Sequence, residues 1–263
     1  MLVDYHLHLR APGGGAEQPD QRVDAVERYV ARAVERGVGE IGVSEHVYYF
    51  RQTEAIWDVS DQQAWCRYDL DEYCGAIVEA KRQGLPVKLG LEVDWVPGRA
   101  DELAEILAPY PWDYLLGSVH WIDGLAVDSR PGLWEKHSPE EVWALYAREL
   151  EAAARSGHFD VLSHPDLVKI FGDRVEWDWQ PVIDALDGVA LEVSTAGLHK
   201  PVDELYPDAS LLRGASRITL ASDAHLAENV GRDFDAAIEH ARAAGFDTVT
   251  VFDGRSSRQE PLG

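Results

Sequence analysis

Short apolar runs rich in β-branched residues alternate with amphipathic stretches along almost the whole chain. The runs fall at residues 2 to 5, 40 to 43, 87 to 93, 114 to 119, 160 to 163, 189 to 193, 217 to 221 and 247 to 252, each with the length and composition of a buried strand. Between most of them, apolar positions recur with helical spacing, most clearly over residues 23 to 36, 70 to 82, 139 to 155 and 233 to 244. Ser138, followed by Pro139, Glu140 and Glu141, predicts a helix start: a hydroxyl to cap free N–H groups, a ring that suits the first turn, and acids against the positive helix end. Gly37, Gly84, Gly157 and Gly245 stand where helices should end in left-handed backbone.

This succession predicts an α/β fold of seven or eight βα units in one domain spanning residues 1–263. A closed or distorted barrel suits it better than an open doubly wound sheet, because Gly13-Gly14-Gly15 lacks the Gly-x-Gly-x-x-Gly spacing expected after a first strand. Such a barrel gathers its functional side chains at the C-terminal ends of the strands. Three longer segments are expected to cover that end: a flexible loop over 10–21, an aromatic loop over 48–68 and an insertion over 124–137. The stretch 247–252 reads either as part of the ring or as an edge strand.

Six histidines lie where the predicted strands end, in Asp4-Tyr5-His6-Leu7-His8, Ser44-Glu45-His46, Ser118-Val119-His120, Ser163-His164-Pro165 and Ser222-Asp223-Ala224-His225. Side chains alternate along a strand, so His6 and His8 point the same way and both reach one cation. Asp223 and His225 repeat that spacing on a late strand. Glu92 ends an apolar run, where an unpaired carboxylate is costly to bury; a bridging role between cations removes that cost, and a salt bridge to an Arg or Lys is the plainer account. Packing histidines satisfied by backbone are the plainer account of His120 and His164. Taken together, the placement points to a metal hydrolase with mixed imidazole and carboxylate ligation, which suits zinc, manganese or iron(II). His137, His158 and His240 lack this placement and read as surface or capping residues.

Composition narrows the partners. A formal net charge of −23 repels nucleic-acid backbones and anionic membranes, while bound divalent cations would reverse the potential inside one pocket and admit an anionic metabolite. No apolar run approaches the roughly 18 residues of a membrane span. Met1-Leu2-Val3-Asp4 leads straight into a metal-type motif, so no signal or transit segment is expected. Cys66 and Cys74 match neither a zinc knuckle nor a redox Cys-x-x-Cys. The expectation is a cytoplasmic, reduced protein.

These motifs, in this order, resemble the PHP (polymerase and histidinol phosphatase) superfamily, in particular its histidinol-phosphatase-like branch. The likeness runs from His6 to about Phe234. Its most specific stretches are Leu191-Glu192-Val193-Ser194-Thr195-Ala196-Gly197-Leu198-His199-Lys200-Pro201, then Glu204-Leu205-Tyr206-Pro207, and Ser222-Asp223-Ala224-His225 with Val230-Gly231 and Phe234 after it. The resemblance implies a distorted (β/α)7 barrel holding two or three divalent ions. It implies one metal on His6, His8, Glu92 and Asp223, a second on Glu92, His120 and His164, and a third on His46 and His225. Two departures stand out. Leu9-Arg10-Ala11-Pro12-Gly13-Gly14-Gly15 offers no further third-site histidine, and His199 stands where that branch commonly has an arginine near the substrate phosphate.

The activity so implied is metal-dependent phosphomonoester hydrolysis, with histidinol phosphate and water giving histidinol and phosphate. A metal-bridging hydroxide attacks in line, and Asp223 or His225 handles the proton. Candidate phosphate contacts are Arg10, Lys169, His199, Lys200 and Arg232; Tyr48, Trp95 and Trp121 are candidate pocket walls, each with a surface or core role as its plainer account. The alternatives are another small phosphomonoester or a nucleotide, an amidohydrolase-type barrel, or a non-catalytic metal-binding protein. The amidohydrolase class wants a bridging lysine where this chain has Glu92 and His120.

Overall fold

The computed structural model describes residues 1–10, 19–58 and 60–263, with the side chains of 60 and 61 excepted. Most of the predicted 10–21 loop thus lies outside the described residues. The strands are β1 (Val3–Leu7), β2 (Glu40–Val43), β3 (Val87–Leu89), β4 (Glu92–Asp94), β5 (Leu116–Ser118), β6 (Trp121–Ile122), β7 (Leu125–Ala126), β8 (Val161–Leu162), β9 (Ala190–Ser194), β10 (Ile218–Ala221), β11 (Thr248–Asp253) and β12 (Ser256–Pro261).

Two parallel sheets carry the fold, one ordered β1-β2-β3 and one β10-β9-β8-β5-β4. Their strands are covered on both faces, which is why they read as continuous apolar runs instead of alternating ones. Helices close the outside. The predicted 23–36 helix is Val23–Glu35, with Ala25, Val26, Tyr29, Val30 and Ala33 buried. Helices Leu70–Arg82, Pro139–Arg155 and Phe234–Ala243 also fall where the periodicity put them. Ser138 forms a capping box: its hydroxyl accepts from Glu141 N at 3.3 Å, and Glu141 Oε2 accepts from Ser138 N at 2.9 Å. Gly37, Gly84, Gly157 and Gly245 all have positive φ. Among the described residues no helix is long and apolar enough to cross a membrane.

Among the described residues, the sheets are not paired into one closed ring. They meet at isolated bridges, Leu7 with Ala224 on one side and His46 with Glu92 on the other. The run over 87–93, expected as one strand, breaks at Gly90-Leu91, and its halves pair with different neighbours: β3 with β2, and β4 with β5. Tyr114 explains the break. Its ring fills the space against Gly42 and Gly90, where a Cβ on either glycine would collide with it, and its hydroxyl donates to Tyr5 O at 2.7 Å. The Gly90 carbonyl accepts instead from the Tyr73 hydroxyl at 2.7 Å.

The 247–252 stretch belongs to neither parallel sheet. β11 pairs antiparallel with β12 through a turn in which Gly254 and Arg255 both have positive φ, the backbone that matches strand twist in a two-residue hairpin. Its Phe252 packs on Tyr5 and Tyr114, whereas β12 is almost wholly exposed and polar, with no alternation to predict it. The 48–68 and 124–137 segments are more ordered than loops. The first holds 3-10 turns at Val47–Tyr49 and Arg51–Ile56 and a short helix at Ser60–Trp65, and the second holds β7 and a helix at Leu133–Lys136.

Because Tyr114 leaves no room at Gly42, Gly42→Ala is expected to lower stability by about 1–3 kcal/mol through overpacking. Chemical denaturation reads this as a fall in midpoint at unchanged slope; an unchanged midpoint contradicts the packing described.

Candidate metal centre

Since the sheets are parallel, the C-terminal ends of their strands share one edge. His6 lies in β1 and His8 just beyond it; His46 follows β2, His120 follows β5, His164 follows β8, and Asp223 and His225 follow β10. Glu92 opens β4 instead of ending a strand, yet the break at Gly90-Leu91 brings it to the same edge. Asp223 and His225 sit on a loop, not on a strand. Asp223 and His164 have φ of 49° and 26°, a left-handed backbone that costs a non-glycine residue and persists only where its surroundings enforce it. Asp4 supplies part of that enforcement: buried beneath the loop, it accepts from Ser222 N at 2.9 Å, Ser222 Oγ at 2.5 Å and Gly231 N at 2.8 Å. Burial pushes the Asp4 carboxyl up to about 6, against the pull of those donors.

Glu92 is fully buried, and five imidazoles surround it. His6 Nε2 and His120 Nε2 lie 3.4 Å from Oε1, and His164 Nε2 lies 3.0 Å from it. His8 Nε2 lies 3.6 Å from Oε2 and His46 Nδ1 2.6 Å from it. Ser118 Oγ donates to Oε1 at 2.8 Å. Asp223 Oδ1 completes one side, 3.3 Å from His8 Nε2 and 3.7 Å from His6 Nε2. Behind the rings stand further carboxylates: Glu192 Oε2 is 2.8 Å from His6 Nδ1, and Asp94 Oδ1 is 2.9 Å from His120 Nδ1.

Burial alone would neutralise Glu92 and Asp223, but the facing histidines hold both well below the usual carboxylate range. Burial likewise would depress His6 and His120; the charges of Glu192 and Glu92 hold His6 well above its ordinary value, and Glu92 and Asp94 push His120 up to about 10. His46 and His225 are lowered, chiefly by burial.

The donor set fits divalent cations. His6 Nε2 and His8 Nε2 are buried without a hydrogen-bond partner, and orphaned groups of this kind cost about 1–3 kcal/mol each unless something binds them. Four groups have ligand atoms within 4.8 Å of one another: His6 with His8 and Asp223, His6 with Glu92 and His164, His46 with Glu92 and His120, and His8 with His46 and His225. In the last group, His8 stacks between His46 and His225.

The candidate substrate contacts fare differently. Lys169 is corrected: it is fully buried, and its three N–H donors go to Asp166 Oδ2, Asp208 Oδ1 and Leu205 O, each at 2.8 Å. Arg10 turns inward onto Glu45 at 3.1 Å. His199 is exposed and bonded to Asp233 at 2.7 Å, and Lys200 is exposed beside it. Arg232 is half-buried, its Nε without a partner, and burial lowers its pKa. Trp95 donates to Glu149 at 3.0 Å. With Trp57, Asp58, Gln62, Trp121 and Asp123 it lines a cavity of about 400 Å³. Tyr48 stacks on His46 at 4.8 Å and meets Trp57 and Trp65, and Trp65 meets Trp121, so an aromatic wall runs from the histidines to that cavity.

Sequence reasoning missed the supporting carboxylates. Glu192 lies within an apolar run and Asp94 directly follows one, the same signal that singled out Glu92.

The PHP domain family matches residues 21–196, a span holding His46, Glu92, His120 and His164. A Deinococcus radiodurans protein named "Probable histidinol-phosphatase" is 34% identical over 95% of this chain and 96% of its own. The "Histidinol-phosphatase" of Lactococcus lactis is 23% identical over 96% of this chain and 94% of its own. Among solved structures, the histidinol phosphate phosphatase of Lactococcus lactis in complex with zinc, L-histidinol and phosphate is similar in fold, with a TM-score of 0.74, 21% identity and 98% of each chain covered. With this match and this full-length relative, the chain belongs to the PHP domain family.

Proposed function

We propose that the protein is a metal-dependent phosphomonoester hydrolase that converts histidinol phosphate and water to histidinol and phosphate. The observation that carries this reading is the convergence of five imidazoles on the buried Glu92, with orphaned donor atoms facing one another. Family membership selects phosphoester chemistry. The names of the relatives and the zinc, L-histidinol and phosphate of the fold neighbour support the substrate.

In this reading His6, His8, Glu92 and Asp223 hold one divalent ion, and Glu92, His120 and His164 hold a second. His46 and His225 hold a weaker third. Zinc, manganese and iron(II) all suit the donor set. When bound, such ions supply a nucleophilic water at neutral pH and neutralise charge on the phosphoryl oxygens. The chain's own groups do the rest. Asp223, held ionised, accepts a proton, and the one-third exposed His225 faces the leaving alkoxide. Arg232 contacts the phosphate where His199 has replaced an arginine. The cavity of about 400 Å³ beside Trp121 takes the imidazole and amine of histidinol, matching cation to aromatic faces and to Asp58 and Asp123.

The finer architecture belongs to the same proposal: residues 1–263 form one PHP-type phosphoesterase domain, a distorted (β/α)7 barrel in which β3 and β4 make one interrupted strand. So does its setting, a cytoplasmic enzyme of a small phosphorylated metabolite without nucleic-acid or membrane partners, in keeping with the charge of −23.

Phosphate release from histidinol phosphate, compared with other phosphomonoesters and nucleotides in metal-reconstituted and chelated protein, tests the function. Chelator-sensitive preference for histidinol phosphate is expected. Activity on other esters alone rejects the substrate, and no hydrolysis rejects the phosphatase. Asp223→Asn and His8→Ala are each expected to lose at least about 10²-fold in kcat through failed metal activation; a wild-type rate in either purified variant contradicts the ligand assignment. An imidazole nitrogen that binds a cation must give up its proton, so cation uptake competes with protonation of the cluster. Zinc titration in weak buffer at pH 7 should therefore release on the order of one or more protons per ion, with affinity falling as pH falls. Uptake without proton release contradicts the assignment.

A further inference from the structure

His6 and His120 share an arrangement that metal ligation alone does not require. Each directs Nε2 at Glu92 and rests its other ring nitrogen on a buried carboxylate, Glu192 for His6 and Asp94 for His120. Glu192 does more than Asp94. Its Oε2 lies 2.8 Å from His6 Nδ1, while its Oε1 accepts from the backbone N–H of His164 at 3.1 Å, and His164 is held at a φ of 26°. In the metal-centre reading His6 serves one cation position and His164 the other, and the two also share a group with Glu92 whose ligand atoms lie within 4.8 Å of one another.

We propose that Glu192 is a positioning residue for both cation positions: it fixes the Nδ1–H tautomer of His6 and holds the His164 backbone in its left-handed turn, while Asp94 fixes the tautomer of His120. The inference rests on the metal-centre reading above. A nitrogen that binds a cation carries no proton, so the hydrogen of a neutral His6 must sit on Nδ1. Both groups that meet Glu192 are then donors, and only a carboxylate offers an acceptor oxygen to each. His8 makes a useful contrast. Its Nδ1 is 3.6 Å from Glu45, beyond hydrogen-bond reach, and Glu45 is occupied by Arg10 and by Leu9 N at 2.7 Å. Glu45 lacks the geometry for this role.

Glu192→Gln keeps the volume and removes one acceptor. With its amide nitrogen toward His6, the ring must accept at Nδ1 and carry its proton on Nε2, which blocks ligation. With the amide turned, two donors meet at His164 N. Either way both positions suffer.

The test is zinc affinity of the purified full chain by competition with a chromophoric chelator, together with two-bond ¹⁵N–¹H spectra of labelled histidines. Glu192→Gln should weaken zinc binding by about 10- to 100-fold and move one histidine from the Nδ1–H to the Nε2–H pattern; Asp94→Asn should do the same for a different ring. Zinc binding and spectra equal to wild type in Glu192→Gln overturn the proposal. A lower melting temperature with unchanged tautomers and affinity assigns Glu192 a merely structural part and also overturns it. Should the variant not fold, the zinc-loaded wild type decides: two rings bonded through Nδ1–H to carboxylates support the proposal, and their absence refutes it. A wild type that binds no zinc refutes the metal-centre reading itself, a different outcome from an unaffected variant.

Discussion

A fully buried carboxylate surrounded by imidazoles is the constraint on which the rest of this structure depends. Glu92 has been taken out of water at the junction of two sheets, where an isolated negative charge would be prohibitive. Five histidines and a serine hydroxyl answer that charge. They arrive from four strand ends besides its own, so the cluster ties together β1, β2, β5 and β8 as well as β4. Facing charges and remaining orphaned donors make the same cluster a receptor for cations. Its electrostatics suit positive ions inside a molecule whose overall charge is −23, and it draws an anionic phosphoester only once those ions are present.

Everything beneath serves that edge. Parallel strands align their C-terminal ends, and Tyr114, accommodated by Gly42 and Gly90, breaks the 87–94 run so that Glu92 can face both sheets. Asp4, buried in β1, accepts from the Ser222 and Gly231 backbone, which helps to hold Asp223 in its left-handed conformation. Behind the imidazoles, Glu192 and Asp94 meet the His6 and His120 rings, and the Lys169 network secures the chain around Asp208, next to the Tyr206 that touches His164. Stability and function are coupled here because the same buried polar groups do both.

Much of this was legible in the sequence because the signals were local. Strand runs, helix periodicity, the Ser138 cap and the terminal glycines each depend on neighbours a few residues away, and the structure keeps them. The residues of the histidine and carboxylate cluster were legible because a histidine or acid at a strand end is unusual and recurs. What escaped was nonlocal. The break at Gly90 depends on a tyrosine 24 residues later in the chain; β12 is a polar strand defined only by pairing with β11. Lys169 read as a phosphate cation because its partners Asp166 and Asp208 meet it only in the fold. Glu192 and Asp94 were overlooked because they meet His6 and His120 only in the fold, which spacing does not encode. The PHP domain relationship adds the chemistry that fold alone does not specify.

The proposed function requires divalent ions held by the cluster around Glu92. Anomalous diffraction at the zinc edge, from crystals of the zinc-loaded protein, tests it most directly. Two strong peaks are expected beside the Glu92 carboxylate, about 2.0–2.2 Å from their nitrogen and oxygen ligands, one against His6 and His8 and the other against His120 and His164. Absence of anomalous density at Glu92, with the imidazoles still resting directly on its carboxylate, would contradict it.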